Sequence, residues 1–166
     1  MNEPIMYQLY KFAQGRKFNR VLNVGAGDQH KRKFPDPRTF INCKQYIGID
    51  LVKGKDTYVD LEMDVKNLKF PDEHFDCVIC TETLEHVDDI YQAASEIKRV
   101  LAKDGLLFIS VPFAHVFHAY PNDYWRITPW GLDFLFRGLK KVYFDYYGRK
   151  KNPDTIFVVY KKAGKK

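Results

Sequence analysis

Between clusters of Gly, Pro, Asn and Asp, short β-branched or aromatic runs alternate with stretches whose apolar residues recur every three or four positions. This βαβα rhythm predicts a mostly parallel sheet covered on both faces. Strands are expected at 20–24, 45–50, 57–60, 75–80, 106–111, 140–146 and 155–161. Only 148–154 separates the last two, too little chain for a crossover helix, so they should pair antiparallel at the sheet edge. The clearest helix is 88–102, where Ile90, Ala93, Ala94, Ile97 and Leu101 form one apolar face. Asp88 and Asp89 open it, Lys98 and Arg99 close it, and Gly105 follows as a stop signal. A first helix is expected at 4–13, and another follows Thr128, a natural N-cap, with Pro129 at its first turn. The segment 29–44 holds Pro35 and Pro37 inside a basic stretch and reads as irregular.

Length and charge narrow the function classes. The 166 residues suit one domain over 1–166, with 162–166 as a frayed tail. Hydrophobic residues make up 45% and charged residues 29%, a globular composition. No apolar run is long enough for a membrane span, and the N-terminus lacks a signal-peptide pattern. Three cysteines cannot form a disulfide framework and suit a reducing compartment, so a cytoplasmic location is expected. Cys77 and Cys80 have C-x-x-C spacing but lie inside one strand, where residues three apart point to opposite faces, so buried thiols are expected and no metal site. The net charge of +6 permits a polyanionic partner.

The first chemical signal is the run VLNVGAGD at 21–28, an apolar strand ending in a Gly-x-Gly turn, followed about 23 residues later by a strand ending in Asp50. Glycines at a strand's carboxyl end let backbone approach a ligand, and an acid ending the neighbouring strand can accept hydrogen bonds from both ribose hydroxyls. This is a nucleoside site. A dinucleotide fingerprint would place a third glycine at position 30, where this chain has His30, and no Gly-Lys-Ser/Thr sequence exists to cradle a triphosphate.

These residues, with YIGIDL at 46–51, Met63-Asp64-Val65, FDCVICTETLEHV at 75–87 and EIKRVLAKDGLLFISV at 96–111, stand in the order and at the spacings of class I S-adenosylmethionine-dependent methyltransferases. The resemblance covers 21–111 and is closest to the type 11 branch. It implies a Rossmann-like α/β fold, with a seven-stranded, mostly parallel sheet in the order 3-2-1-4-5-7-6, strand 7 antiparallel and helices on both faces. It also implies S-adenosyl-L-methionine as cofactor. Asn23, Gly25, Ala26 and Gly27 would shape the floor under its methionine part, and Asp50 would hold the ribose. Leu51 would pack on the adenine, Asp64 would accept from the adenine amino group and Val65 would offer its amide. Thr81 and Glu82 would line the cleft near the sulfonium. His86 offers either proton transfer or a hydrogen bond that holds the start of the following helix.

The acceptor side should come from the segment after the fifth strand, which is dense in side chains that stack, donate or accept: His115, His118, Asp123, Tyr124, Trp125 and Arg126. This run resembles a stretch of type 11 enzymes found in carbohydrate and cell-surface glycan synthesis, which implies a small-molecule or glycan-related acceptor with His118 or His115 as the base. The alternative for these side chains is that they knit a cap to the sheet. The clusters at 31–33, 149–151, 161–162 and 165–166 could form a nucleic-acid face but read better as solvated surface. No Asn/Asp-Pro-Pro-Tyr/Phe sequence follows the fourth strand, which disfavours a nucleobase acceptor. So short a chain leaves little room for a substrate domain, so a homodimer or a partner subunit is a way to complete the acceptor pocket. A non-catalytic cofactor-binding module is a third reading.

Overall fold

The computed structural model describes residues 3–27, 36–54, 58–118 and 122–164. Seven strands run β1 (Phe18–Val24), β2 (Cys43–Asp50), β3 (Leu61–Glu62), β4 (Phe75–Thr81), β5 (Leu101–Pro112), β6 (Leu139–Arg149) and β7 (Asn152–Lys162), with helices α1 (Glu3–Ala13), α2 (Ile90–Val100) and α3 (Pro129–Leu135). They form one sheet in the order β3-β2-β1-β4-β5-β7-β6, as expected. The first five strands pair parallel, and β7 lies antiparallel to both β5 and β6.

The near-continuous apolar runs of β1, β4 and β5 follow from burial on both faces. Leu22, Val24, Val78, Cys80, Leu107 and Ile109 join the core under α2 and α3. Their neighbours Val21, Cys77, Ile79 and Phe108 join the core under α1, which contributes Ile5, Leu9 and Ala13. Cys77 and Cys80 therefore do lie on opposite faces, fully buried, and burial pushes both thiols up. An isolated helix of 11 residues is marginal in water, so α2 owes its existence to the packing of Ala93, Ala94, Ile97 and Val100.

Several boundaries differ from the sequence reading, each for a local reason. The third strand falls at Leu61–Glu62 and not at 57–60, of which residue 57 lies outside the described residues. At 58–60 the pairing is mixed: Asp60 N donates to Gly48 O at 2.7 Å while the Asp60 carboxylate accepts from Gly48 N at 2.7 Å, and Arg38 donates to both Asp60 and Tyr58 O. Helix α2 starts at Ile90, because Asp89 caps Gln92 N while Asp88 pairs with Lys66. It ends at Val100, because Leu101 turns extended to pair with Phe75, so 101–102 are strand and Gly105 lies within β5. The hairpin loop is shorter than 148–154, since pairing continues to Arg149 opposite Asn152. Lys162 belongs to β7 and not to a frayed tail, and its Nζ donates to Lys98 O and Leu101 O at the end of α2. In the irregular segment, 28–35 lie outside the described residues, and Pro37–Thr39 make one 3₁₀ turn capped by Asp36. Among the described residues no helix is long and apolar enough to cross a membrane.

Candidate active site

Where β1 leaves the sheet, the backbone turns sharply through Gly25 and Gly27, with φ of +71° and +69°. A side chain at Gly25 is barred twice, by the left-handed backbone and by space. An added Cβ would lie 2.2 Å from Thr83 Oγ1. That hydroxyl donates to Val24 O and Thr81 O, tying the ends of β1 and β4 together around the glycine. Ala26, fully buried, donates its N–H to Ile49 O. Gly27 N donates to Asp50 Oδ2 at 2.8 Å, and Leu51 N donates to Oδ1 at 2.7 Å. A carboxylate has about four acceptor positions, so two remain on Asp50 after these bonds.

Asn23 lies beneath the turn, 1% exposed, and its side-chain amide has no hydrogen-bond partner at either atom among the described residues. A buried amide is costly to leave unpaired, so this group is poised for a ligand atom or a water. Asp64 and Val65 come beside Asp50 because Met63 N donates to Asp50 O. The Asp64 carboxylate accepts from Lys66 N and remains partly open, whereas the Val65 side chain is buried in the core. Leu51 is 60% exposed, free to pack on a ring. The structure thus gathers Asn23, Gly25, Ala26, Gly27, Asp50, Leu51, Asp64 and Val65 along the carboxyl ends of β1 and β2, where open α/β sheets bind ligands.

Thr81 ends β4 and is buried. Glu82 follows with φ of +50°, its N–H donating to Ser110 O while its carboxylate accepts from Ser110 Oγ at 3.0 Å. Burial raises its carboxyl above the ordinary range, opposed by the bond from Ser110 and the nearby charges of His118 and Arg126. In the short turn Leu84–His86, Glu85 is fully buried. Neither of its carboxylate oxygens has a hydrogen-bond partner among the described residues, and burial with the charge of Glu82 lifts it to about 8.

The segment after β5 is laid over this turn. Tyr124 N and Trp125 N both donate to Glu85 O, and Trp125 Nε1 donates to Val87 O at 2.7 Å. Asp123 receives a two-pronged Arg126 guanidinium at 2.6 and 2.8 Å and the backbone N–H of His118. Arg126 holds the Asp123 carboxyl well below its usual range despite desolvation. His118 Nε2 then lies 3.9 Å from Glu85 Oε1, and the more exposed His115 ring packs edge-on against His118. His86 does not brace the following helix. Its Nδ1 sits 2.6 Å from Asn122 O, bonding to the segment after β5. The cap of the sequence reading is real, and so are its chemical groups; Asp123 and Arg126 build it while His118 faces inward. Glu85, Thr83 and Ser110 were not foreseen as site residues. Their neighbours lie about 30 or more positions away, and nothing local to them signals it.

Between α3 and the β6–β7 hairpin lies a cavity of about 650 Å³, lined by Phe113, Trp130, Phe144, Tyr146 and Pro153, with Lys150 and Lys151 at its wall.

Residues 22–109 match the family described as a methyltransferase domain. An uncharacterized methyltransferase of Bacillus subtilis (strain 168), YcgJ, is 28% identical over 128 residues, covering 69% of this chain and 47% of that protein. The chain spans about half the length of the curated relatives it matches. Among solved structures, Burkholderia thailandensis 1,6-didemethyltoxoflavin-N1-methyltransferase, crystallised with that compound and S-adenosylhomocysteine, superposes with a TM-score of 0.73 at 20% identity, over 98% of this chain and 80% of its own. The N-methyltransferase NodS of Bradyrhizobium japonicum with S-adenosylhomocysteine gives 0.70 at 16% identity, over 96% and 86%. With more than half of its length matched, and with the strand-end glycine turn and sheet order described above, the chain belongs to the methyltransferase domain family.

Proposed function

We propose that this chain transfers a methyl group from S-adenosyl-L-methionine to a small-molecule or glycan-related acceptor by direct displacement. The observation that carries this is the cradle at the end of β1: a glycine turn no side chain can enter, beside an Asp50 carboxylate with acceptor positions to spare. The residues fit the cofactor. Asp50 suits the ribose hydroxyls, the orphaned Asn23 amide and the turn of 25–27 suit the methionine part, and Leu51, Asp64 and Val65 suit the adenine. When bound, the sulfonium supplies an electrophilic methyl and a neutral sulfur leaving group. The protein's part is then alignment and exclusion of water.

An acceptor hydroxyl or protonated nitrogen must also lose a proton. His118 is the base we assign, its Nδ1 3.5 Å from Asp123 and its Nε2 turned toward Glu85, with the His115 ring packed against it. The aromatic cavity beside α3 offers room for the body of the acceptor. The Burkholderia neighbour, crystallised with 1,6-didemethyltoxoflavin and S-adenosylhomocysteine, supports a small-molecule acceptor. A nucleic-acid acceptor is less favoured because two members of the basic clusters are engaged within the fold, Lys161 with Asp104 and Lys162 at the end of α2.

Calorimetric titration with S-adenosylmethionine and S-adenosylhomocysteine, with NAD as control, tests the reading. Wild type should saturate with either sulfur compound and ignore NAD. Asp50→Ala should weaken binding about tenfold to hundredfold, the loss of hydrogen bonds to a charged group. Well-folded protein that binds neither would overturn the proposal, and binding without turnover on any acceptor would favour the non-catalytic module.

A further inference from the structure

The Glu85–His86–His118 cluster has a geometry that proton transfer alone does not explain. Glu85 is fully buried, and among the described residues neither oxygen has a hydrogen-bond partner. Both imidazoles turn the same nitrogen toward it: His86 Nε2 stands 3.6 Å and His118 Nε2 3.9 Å from Glu85 Oε1. One ligand atom from each of the three residues lies within 4.8 Å of the others.

The far sides of the rings define their tautomers. His86 Nδ1 lies 2.6 Å from the carbonyl of Asn122, which can only accept, so Nδ1 carries the hydrogen and the neutral ring keeps its lone pair on Nε2. His118 Nδ1 faces two acceptors, Val116 O at 3.3 Å and the Asp123 carboxylate at 3.5 Å, so it too is protonated there. Asp123 is in turn held by the Arg126 fork. Two lone pairs and a carboxylate thus converge on one point, each imidazole backed by a carbonyl or a carboxylate, the outer arrangement that metal-ligating histidines use. A proton on Glu85 can satisfy one imidazole and leaves the other facing it without a match. A cation satisfies all three.

We propose that Glu85, His86 and His118 bind a divalent first-row transition cation of the zinc class through one carboxylate oxygen and two Nε2 atoms. Two imidazoles and one carboxylate are a borderline ligand set that suits such ions and leaves coordination positions open. An ion with bonds of about 2.1 Å in tetrahedral geometry sets its ligand atoms roughly 3.4 Å apart, so the carboxylate–imidazole spacings of 3.6 and 3.9 Å, and a cluster that spans no more than 4.8 Å, close onto an ion by rotamer adjustment. The imidazoles are about one-third exposed, at 29% and 33%, which gives an ion a route from solvent. The single lone pair of His118 Nε2 serves either a proton or the ion. An ion held there would occupy the His118 lone pair and would itself supply the Lewis acidity that lowers the pKa of an acceptor oxygen, so that His118 would serve as base only in the metal-free protein.

The test uses tag-free, chelator-treated full-length protein, titrated with zinc chloride by calorimetry and with cobalt chloride by visible absorption, and S-adenosylhomocysteine binding measured on the same samples. Wild type should take up one equivalent of either ion, with cobalt bands typical of low coordination number. Glu85→Gln and His118→Ala should each weaken uptake by tenfold or more. Asp123→Asn, which touches no ion, should weaken it by about tenfold. Circular dichroism reports the fold of each variant, and His86→Ala on the exposed rim replaces Glu85→Gln if the latter fails to fold. Absence of saturable uptake by folded wild type, or uptake unchanged in Glu85→Gln, His86→Ala and His118→Ala, would overturn the site. The inference stands on the cluster and not on methyl transfer: wild type that binds cobalt but no S-adenosylhomocysteine would sink only the function proposed above.

Discussion

At the ends of β1 and β2 the site is made largely of backbone: two left-handed glycines, amides that meet Asp50, and a hydroxyl that fills the space a side chain would take. Across the cleft, the segment 122–126 is held by side chains and by amides reaching a carbonyl in a turn nearly forty residues earlier. The first region depends on short stretches of chain with few permitted substitutions. The second depends on charges and rings brought together late, any one of which can be altered while the backbone stays. Damage should therefore be absolute on the cofactor side and graded on the acceptor side.

The sharpest way to break that contrast is Gly25→Ala. A left-handed non-glycine residue and a contact with Thr83 together should cost about 3 kcal/mol in chemical unfolding and abolish S-adenosylhomocysteine binding in calorimetry. Adding Thr83→Gly should recover the part due to contact and leave the part due to φ. Arg126→Lys is the counterpart across the cleft: it keeps the charge but loses the two-pronged bond to Asp123. It should cost about 2 kcal/mol and slow turnover while changing S-adenosylhomocysteine affinity less than about twofold. An equal loss of cofactor affinity would show that the two sides are not separable.

Glu96 sharpens the comparison on the cofactor side, since it holds the loop after Val65 by accepting from Leu68 N and from Arg99. Arg99 lowers the Glu96 carboxyl below its ordinary value against the effect of burial. A carboxyl lowered on folding stabilises above its unfolded pKa and loses that contribution as pH falls through the folded value. Glu96→Gln should therefore cost about 1 kcal/mol at neutral pH, and its gap from wild type should narrow below about pH 4 in urea titrations. Smallest is Thr128→Ala, which removes the cap from Gly131 N and should lower stability by about 1 kcal/mol or less, with cofactor binding unchanged.

The cofactor side was legible in the chain because its requirements are local. Gly25 and Gly27 announce a turn by themselves, and Asp50 ends a strand whose apolar pattern places it beside them. The third strand starts later than its apolar pattern predicts because Gly48 N turns to the Asp60 carboxylate while Asp60 N meets Gly48 O, and no hydrophobic period records that exchange. Helix α2 was drawn two residues too long at each end, since apolar spacing does not reveal that Lys66 takes Asp88 or that Leu101 joins Phe75. On the acceptor side, the run from His115 to Arg126 showed its chemical richness but not its division of labour, with Asp123 and Arg126 as the brace and His118 turned inward.

What the sequence determined alone were the sheet's alternation, its antiparallel edge, the glycine turn and the burial of Cys77 and Cys80 on opposite faces. These follow from periods and residue shapes within a few positions of one another. Only the tertiary structure decided that Glu85 is buried with no hydrogen-bond partner among the described residues, that His86 reaches Asn122 and that His118 comes against both Glu85 and His86. Those contacts join the ends of β4 and β5, which lie side by side because the strands pair through the backbone, and backbone pairing leaves no mark on which side chains will face each other at its end.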